Sequence, residues 1–264
     1  MYRKIMIITL VYGNYSDLSR FVKSIPFRCE DFKLVIVDSF KDNNTKNIGL
    51  NFSKSVDADF ISVDNNGYGS GNNAGIKYAL DNYEFDYLII TNPDVEIEKI
   101  DLYDVKDDVV MGPQVINLNG KNQNPFYYKK ERLGFLVMRH YVVSENAFWL
   151  YLYLVINKIS KFFWKTYFTI FDKKIKLNVY ALHGSFFSMT KRTAKKLVPL
   201  FNEEMFLYSE ENHLAELSKR KAVTMIYNSN WIVKHFEDGS GASDSQFTRE
   251  NTLKSLRVFF KTWK

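Results

Sequence analysis

Residues 59–95 read DFISVDNNGYGSGNNAGIKYALDNYEFDYLIITNPDV. The short apolar run before Asp64 predicts a strand over Asp59–Val63, and Asn72–Asn82 reads as a helix. Tyr87–Thr91 predicts a second strand, which stops at Asn92-Pro93-Asp94 because a proline cannot donate to a sheet ladder. A strand, a helix and a strand in succession point to an α/β protein with a mostly parallel sheet.

The same rhythm extends towards the start. Ile5–Val11 reads as a buried first strand. Ser16–Ile25 reads as a helix, with Ser16 as its cap and Leu18, Phe21, Val22 and Ile25 on one face. Leu34–Val37 reads as a strand ending at Asp38, and Val109–Met111 as a last short strand. Three of these strands end in a carboxylate: Asp38, Asp64 and Asp94. Ligands of open α/β sheets bind beyond the carboxyl ends of the strands, so three acids there mark a site.

Composition narrows the function classes. A chain of 264 residues can bury a real core as one large domain or two small ones. With 46% hydrophobic and 25% charged residues, it is neither disordered nor fibrous. The single cysteine, Cys29, excludes a disulfide framework and a cysteine-rich zinc site, and points to a reducing, cytoplasmic setting. Met1-Tyr2-Arg3-Lys4 precedes an apolar run too short to span a bilayer and without a small-residue cleavage site, so no secretory signal is expected.

Charge is unevenly placed. Residues 1–120 carry a balance of −6, residues 121–196 of +12, and residues 197–264 of zero. A basic middle suits anionic lipid, nucleic acid or phosphates. Nucleic acid is disfavoured, because long apolar runs interrupt the basic block and no reader motif is present. Within it, Ala147–Phe171 places Lys158, Lys161 and Lys165 on one helical face, with Ile159, Phe162, Phe163, Tyr167 and Ile170 away from them. Together with Trp149 and Trp164 this fits a helix lying in a membrane interface; packing on the protein's own core is the other reading. Further on, Ala222–Tyr227 and Ile232–His235 read as strands, followed by the loop Glu237–Ser245 and a helical tail.

Four motifs carry chemistry. Asn65-Asn66-Gly67-Tyr68-Gly69-Ser70-Gly71-Asn72-Asn73-Ala74-Gly75 reads as a glycine-rich loop opening a helix, a setting in which backbone N–H groups approach phosphate. Its asparagines suit a polar ligand, whereas a dinucleotide fingerprint belongs in the first strand–helix turn. Asp94 is a hard oxygen ligand for Mg²⁺ or Mn²⁺ at a strand end. Glu210-Glu211, at a helix start after Tyr208, offers a carboxylate to a cleft as a general base. His235 closes a late strand.

In this order, together with His183-Gly184-Ser185, the motifs resemble the family 2 glycosyltransferases, and within them the bacterial rhamnosyltransferase-like group of surface-polysaccharide synthesis. The resemblance runs from residue 5 to about 240 and is weakest over 117–178. It implies a GT-A fold with an amphipathic helical insertion, and an inverting transfer from a nucleotide-diphosphate sugar. It divides the chain into a nucleotide-sugar half (1–115), a basic aromatic insertion (116–178) and an acceptor and catalytic half (179–264). Carried over, Tyr12, Asn14 and Asp38 surround the base and ribose, and Asn66, Gly67, Asn72, Asn73 and Asn92 shape the donor pocket. Asp94 holds Mn²⁺ or Mg²⁺ on the diphosphate, with His235 as a further ligand. Glu211 takes the place of the family's catalytic Asp, beside Glu210. His183, Gly184 and Ser185 form the acceptor turn. His213 stands where the family has a second Asp. The partners implied are the nucleotide sugar, a lipid-linked glycan and an anionic bilayer met by residues 147–171, at the inner face of the plasma membrane. An NAD-linked oxidoreductase using Gly67–Gly71, or a non-catalytic membrane-surface protein, are the competing readings.

Overall fold

The computed structural model describes residues 4–171, 174–236 and 245–263. Residues 1–3 and 237–244, and with them nearly all of the expected loop Glu237–Ser245, lie outside these.

Four strands make the parallel half: β1 (Ile5–Val11), β2 (Phe32–Ser39), β3 (Asp59–Val63) and β4 (Tyr87–Thr91). β1 reads Ile-Met-Ile-Ile-Thr-Leu-Val, the near-continuous apolar run that a strand covered on both faces needs. Its alternate side chains enter two cores. Met6 and Ile8 pack with Val35, Val37, Leu88 and Ile90 on one face. Ile5 and Ile7 pack with Leu34, Ile36 and Ile89 on the other. Burying each such side chain stabilises the fold by roughly 1.5–3 kcal/mol.

The remaining strands are β5 (Val95–Lys99), β6 (Val109–Asn117), β7 (Lys176–Val179), β8 (Phe186–Thr190) and β9 (Thr224–His235). All nine join one sheet in the order β3-β2-β1-β4-β8-β6-β9-β5, with β7 also on β9. The sheet is thus mixed, not mostly parallel. β8 runs antiparallel to both β4 and β6, and β9 is parallel to β6 but antiparallel to β5 and β7. β9 is a single strand where the sequence predicts two; a register shift opposite Gly112–Gln114 lets it continue.

Helices α1 (Ser16–Ser24), α2 (Asn43–Ser55) and α3 (Tyr68–Asn82) cover the parallel half. The glycine-rich stretch is not a loop: α3 begins at Tyr68, so Gly69, Gly71 and Gly75 lie inside it. Two contacts override the poor helix propensity of glycine. At Gly75 an added Cβ would lie 2.7 Å from side-chain carbons of Ile8 and Val37, so glycine lets α3 settle against the sheet. At Gly67 the backbone has φ +101°, and a Cβ would lie 2.2 Å from the Phe206 carbonyl oxygen. The Tyr68 N–H donates to that oxygen at 2.9 Å, anchoring the first turn of α3 to the distant segment.

The insertion forms a helical pair, α4 (Arg132–Ser144) and α5 (Ala147–Ile170). Tyr141 and Val142 of α4 pack with Leu253 and Leu256 of α8 (Ser245–Thr262). α5 has no fully buried residue. Its inward side carries Tyr153, Ser160, Lys161, Trp164 and Phe168, whereas Ile159, Phe162, Phe163, Tyr167 and Ile170 are exposed, Phe162 by 74%. The three lysines do not form a solvated face. Lys158 and Lys165 are exposed along the seam between the two sides, and Lys161 turns in. Among the described residues, no helix is long and apolar enough to cross a membrane. The last two helices are α6 (Lys191–Leu197) and α7 (Glu210–Arg220).

Replacing Gly67 with alanine combines left-handed backbone strain with a clash against Phe206. Gly67→Ala is expected to destabilise the protein by roughly 1–3 kcal/mol, read as a lower urea midpoint at unchanged slope.

Candidate active site

β1, β2 and β4 run side by side in register, with Val11 opposite Asp38 and Thr9 opposite Thr91. Their carboxyl ends therefore stop at one level, and a cavity of about 320 Å³ opens there. Tyr12, Asn14, Ser39, Asn65, Gly67, Tyr68, Asn92 and Asp94 line it. Of the donor residues expected from sequence, Tyr12, Asn14, Gly67 and Asn92 thus come together.

The others do different work here. Asp38 is fully buried, accepting from the Tyr15 hydroxyl at 2.5 Å and from the Ser62 hydroxyl at 3.0 Å. Its neighbour Ser39 reaches the cavity instead. Asn66 is exposed, and Asn65 lines the wall. Asn72 donates to the Tyr68 carbonyl within α3. Asn73 donates to the Phe201 carbonyl and to Glu203, and accepts from the Phe201 N–H, so it ties α3 to the segment before α7.

Asp94 follows β4 and meets His235 through the sheet, because its neighbour Val95 pairs with His235. The Asp94 Oδ1 is buried without a hydrogen bond, and His235 Nε2 lies 3.4 Å from it. The His235 Nδ1 donates to Gln123 Oε1 at 2.9 Å, so Nε2 is the ring atom turned towards the carboxylate. A carboxylate oxygen and a ring nitrogen brought together at a strand end are the donor types that hold a divalent cation. No group of three or more His, Cys, Asp or Glu able to hold a metal occurs among the described residues, so further ligands would come from substrate oxygens and water.

On the other side of the cleft, α7 opens with Glu210 and Glu211. The two residues before it, Tyr208 and Ser209, both hold left-handed backbones, at φ 72° and 71°. Such strain persists only where packing imposes it, and it aims the two carboxylates. Glu211 lies against Gly184, where an added Cβ would be 3.0 Å from its Oε1. Burial pushes the carboxyls of Glu210 and Glu211 above the usual range, and their mutual repulsion adds to this at Glu210. Glu210 Oε1 is buried without a hydrogen bond.

Tyr68 joins the two sides. Its hydroxyl donates to the Gly184 carbonyl at 2.9 Å. Burial raises its pKa, and Glu211, Glu210 and Asp94 all add to the shift, so one phenol senses the three acids together. His183 and Ser185 are partners: the imidazole Nδ1 lies 2.9 Å from the serine Oγ and accepts from the serine N–H. The His183 ring packs against those of His235 and Phe126. Burial, with smaller contributions from His235 and Lys161, pushes its pKa down to about 3. His213 points elsewhere, accepting from the Trp263 indole at 3.0 Å.

Sequence reasoning missed Ser39, Asn65, Gln123 and Lys161. Asn65 was quoted in the glycine-rich motif but passed over for its neighbour, and Ser39 directly follows Asp38. Gln123 and Lys161 fall in the segment where the resemblance is weakest. The inward partners of Lys161 on α5, namely Asn157, Ser160 and Trp164, are a polar-aromatic stripe at helical spacing that could have revealed its face.

The folded state holds the Glu210 proton more tightly than the unfolded chain does. Its stabilising contribution is therefore complete below the ordinary carboxylate pKa and is lost as pH rises through the raised one. Glu210→Gln removes that loss. The variant is expected to melt higher than the wild type above about pH 7, with the difference shrinking towards about pH 4. Thermal melts across that range check this; a constant difference contradicts it.

No family profile matches the chain. Among curated proteins it is similar to the low-salt glycan biosynthesis hexosyltransferase Agl10 of Haloferax volcanii, with 28% identity over 36% of this chain and 41% of that one. The chain thus spans less than half the length of that relative. Among solved structures it is similar to GalNAc-T7 with UDP, GalNAc and Mn²⁺, at TM-score 0.62 and 12% identity over 97% of this chain and 48% of the other. It is also similar to S. aureus TarS 1–349 in complex with UDP, at TM-score 0.56 and 14% identity over 88% of this chain and 60% of the other. These likenesses span both halves of the sheet, and the fold of the chain is GT-A.

Proposed function

We propose that the chain is an inverting glycosyltransferase, of hexosyl or rhamnosyl type, which moves a sugar from a nucleotide-diphosphate donor to a hydroxyl of a lipid-linked glycan in cell-surface polysaccharide synthesis. The observation that carries this is the convergence of Asp94–His235 and Glu211 on one cleft beyond the strand ends of a GT-A fold. The nucleotide half 1–115 supplies the donor wall, and 179–264 supplies the base. The hexosyltransferase relative and the UDP-bound neighbours support the same substrate class.

In this reading Tyr12, Asn14 and Ser39 hold the nucleoside, and Asn65 and Asn92 hold the donor's polar groups. Asp94 and His235 would hold a divalent cation, which would supply charge neutralisation to a diphosphate leaving group. Glu211 takes the proton of the acceptor hydroxyl while that oxygen attacks the anomeric carbon. The new C–O bond forms as the bond to the diphosphate breaks on the opposite face, which inverts the centre. Burial suits Glu211 to this work, because a carboxylate with a raised pKa is a stronger base. The oxidoreductase reading loses support, since Gly69 and Gly71, two of the three glycines it would place in a loop, lie inside α3.

Glu211→Gln keeps size but cannot accept a proton. It is expected to lower kcat by about 10²–10⁴-fold with donor affinity nearly unchanged. Asp94→Asn, or excess chelator, is expected to lower turnover by about 10²-fold or more and to weaken nucleotide-sugar binding as well. A panel of nucleotide sugars with and without Mn²⁺, read by thermal shift and by product formation, tests both. Full turnover in chelator defeats the metal assignment.

The exposed side of α5, bordered by Lys158 and Lys165, would rest on an anionic bilayer. Vesicle co-sedimentation is expected to weaken with salt, and by about 1 kcal/mol for each of these lysines removed. Phe162→Glu is expected to abolish it while leaving soluble-donor binding intact. Binding that survives Phe162→Glu excludes this face.

A further inference from the structure

α7 begins without the device that ordinarily fixes a helix start. Its N-cap, Ser209, makes no side-chain hydrogen bond to the first turn. Ser209 and Tyr208 both hold left-handed backbones, which residues with a side chain keep only under constraint. Glu210 and Glu211 follow at once, so the aim of both carboxylates depends on what holds this corner.

The hold comes from α8. Before the glutamates, the buried Ser255 donates through Oγ to the Leu207 carbonyl at 2.7 Å, and the Tyr208 hydroxyl donates to Thr248 Oγ1 at 3.4 Å. After them, the indole N–H of Trp263 donates to His213 Nδ1 at 3.0 Å. Trp263 follows directly on α8, its own N–H bonded to the Phe259 carbonyl at 2.9 Å. The indole stands edge-on to the imidazole, with ring centroids 5.3 Å apart, and the Arg220 guanidinium lies 4.6 Å from it. Residues seven apart share a helix face, so Trp263 spans α7 from its first turn to its last.

His213 lies two residues beyond Glu211, about 200° round the helix. With Glu211 against Gly184 at the cleft, His213 therefore meets α8 from behind. An indole can only donate, so Nδ1 accepts and the ring proton sits on Nε2. Burial, aided by Arg220, pushes the His213 pKa down to about 4, which keeps the ring neutral and Nδ1 an acceptor. An aspartate, which the resemblance implies at this position, would add a third acid to the first turn; the imidazole takes the same bond without charge.

We propose that His213 and Trp263 are positioning residues for Glu211: their bond ties the first turn of α7 to α8 and so fixes the reach of the base into the cleft. This rests on the transferase reading above. The two residues act through Glu211, and the tie matters because a general base works only within hydrogen-bond reach of the proton it takes.

The test is an NMR titration of the Glu211 carboxyl on the full chain with isotope-labelled glutamate, the signal being assigned by its loss in Glu211→Gln. Burial raises the Glu211 pKa, so loosening the turn lets water in and lowers its midpoint. Trp263→Phe keeps an aromatic ring but removes the donor, and is expected to lower the midpoint by about one unit. His213→Leu should do the same, and His213→Asn, whose amide oxygen can accept from the indole, should restore most of the loss. The groups that face Glu211, namely Glu210, Tyr68, Tyr127 and Lys161, are the same in all three. Nucleoside-diphosphate release from the nucleotide-sugar panel with Mn²⁺ is expected to fall about tenfold in kcat for Trp263→Phe and His213→Leu, with KM within about twofold and the acidic limb of the pH profile moved to lower pH. Ser255→Ala, on the other side of the glutamates, should move the midpoint in the same direction, and gives a reading if the other variants fail to fold. A lower melting temperature with the Glu211 midpoint and kcat unmoved overturns the proposal, since the contact is then packing only. A raised KM at unchanged kcat also overturns it. Wild-type protein that turns over none of the panel defeats the transferase reading, and the Glu211 midpoint in the variants then decides the tie.

Discussion

Three carboxylates are held around a single part-buried tyrosine, Tyr68. Asp94, Glu210 and Glu211 all act on the Tyr68 phenol, and Lys161 offsets Glu211 only in part, since burial still raises its carboxyl. Left alone, such a cluster would swell or take up protons. It persists because each acid is fixed by a different device. The antiparallel pairing of Val95 with His235 places Asp94, strained left-handed residues aim α7, and glycine at position 184 leaves room for the Glu211 carboxylate. An acid-rich cleft of this kind is receptive to cations and to proton donors, which suits the displacement proposed above.

The two halves of the sheet would be poor partners without specific ties. Gly67 lets the start of α3 meet the Phe206 backbone, and Asn73 binds Phe201 through both its amide atoms. The Asn92 N–H reaches the Ser185 carbonyl at 2.8 Å, so the end of β4 and the start of β8 close on each other beneath the cleft. The asparagines of the glycine-rich motif therefore serve two ends. Asn65 faces the cavity, whereas Asn72 and Asn73 hold the wall upright.

Much of this was legible in the residues. The apolar runs at Ile5–Val11, Asp59–Val63 and Tyr87–Thr91 gave strands with those bounds, because a doubly covered strand has a strong and local signature. Asp94, His235 and Glu211 stand out as short motifs at strand and helix ends, and the fold brings Asp94 and His235 within 3.4 Å of each other. What stayed hidden depends on tertiary contact. α2 was missed because Asn43–Ser55 is too polar to show an apolar stripe, its start being set by the Asp42 side chain on the Thr45 N–H. α3 was begun four residues late because glycines argue locally for a loop, and only the packing on Phe206 and the sheet says otherwise. The antiparallel course of β8 has no local signature. Asp38 looked like a ligand residue by position, yet its oxygens are taken by Tyr15 and Ser62.

α5 carries its exposed aromatic side and the inward Lys161 on opposite flanks of one rigid rod. The thickness of an α-helix with its side chains is about 10–12 Å. If the outer flank lies on a bilayer, the height of the cleft above the lipid is set by that single dimension and not by a flexible tether. On that footing the helix would work as a ruler: under the proposed reading, Glu211 would meet only hydroxyls held close to the lipid surface, and the far end of a longer acceptor would pass out of reach.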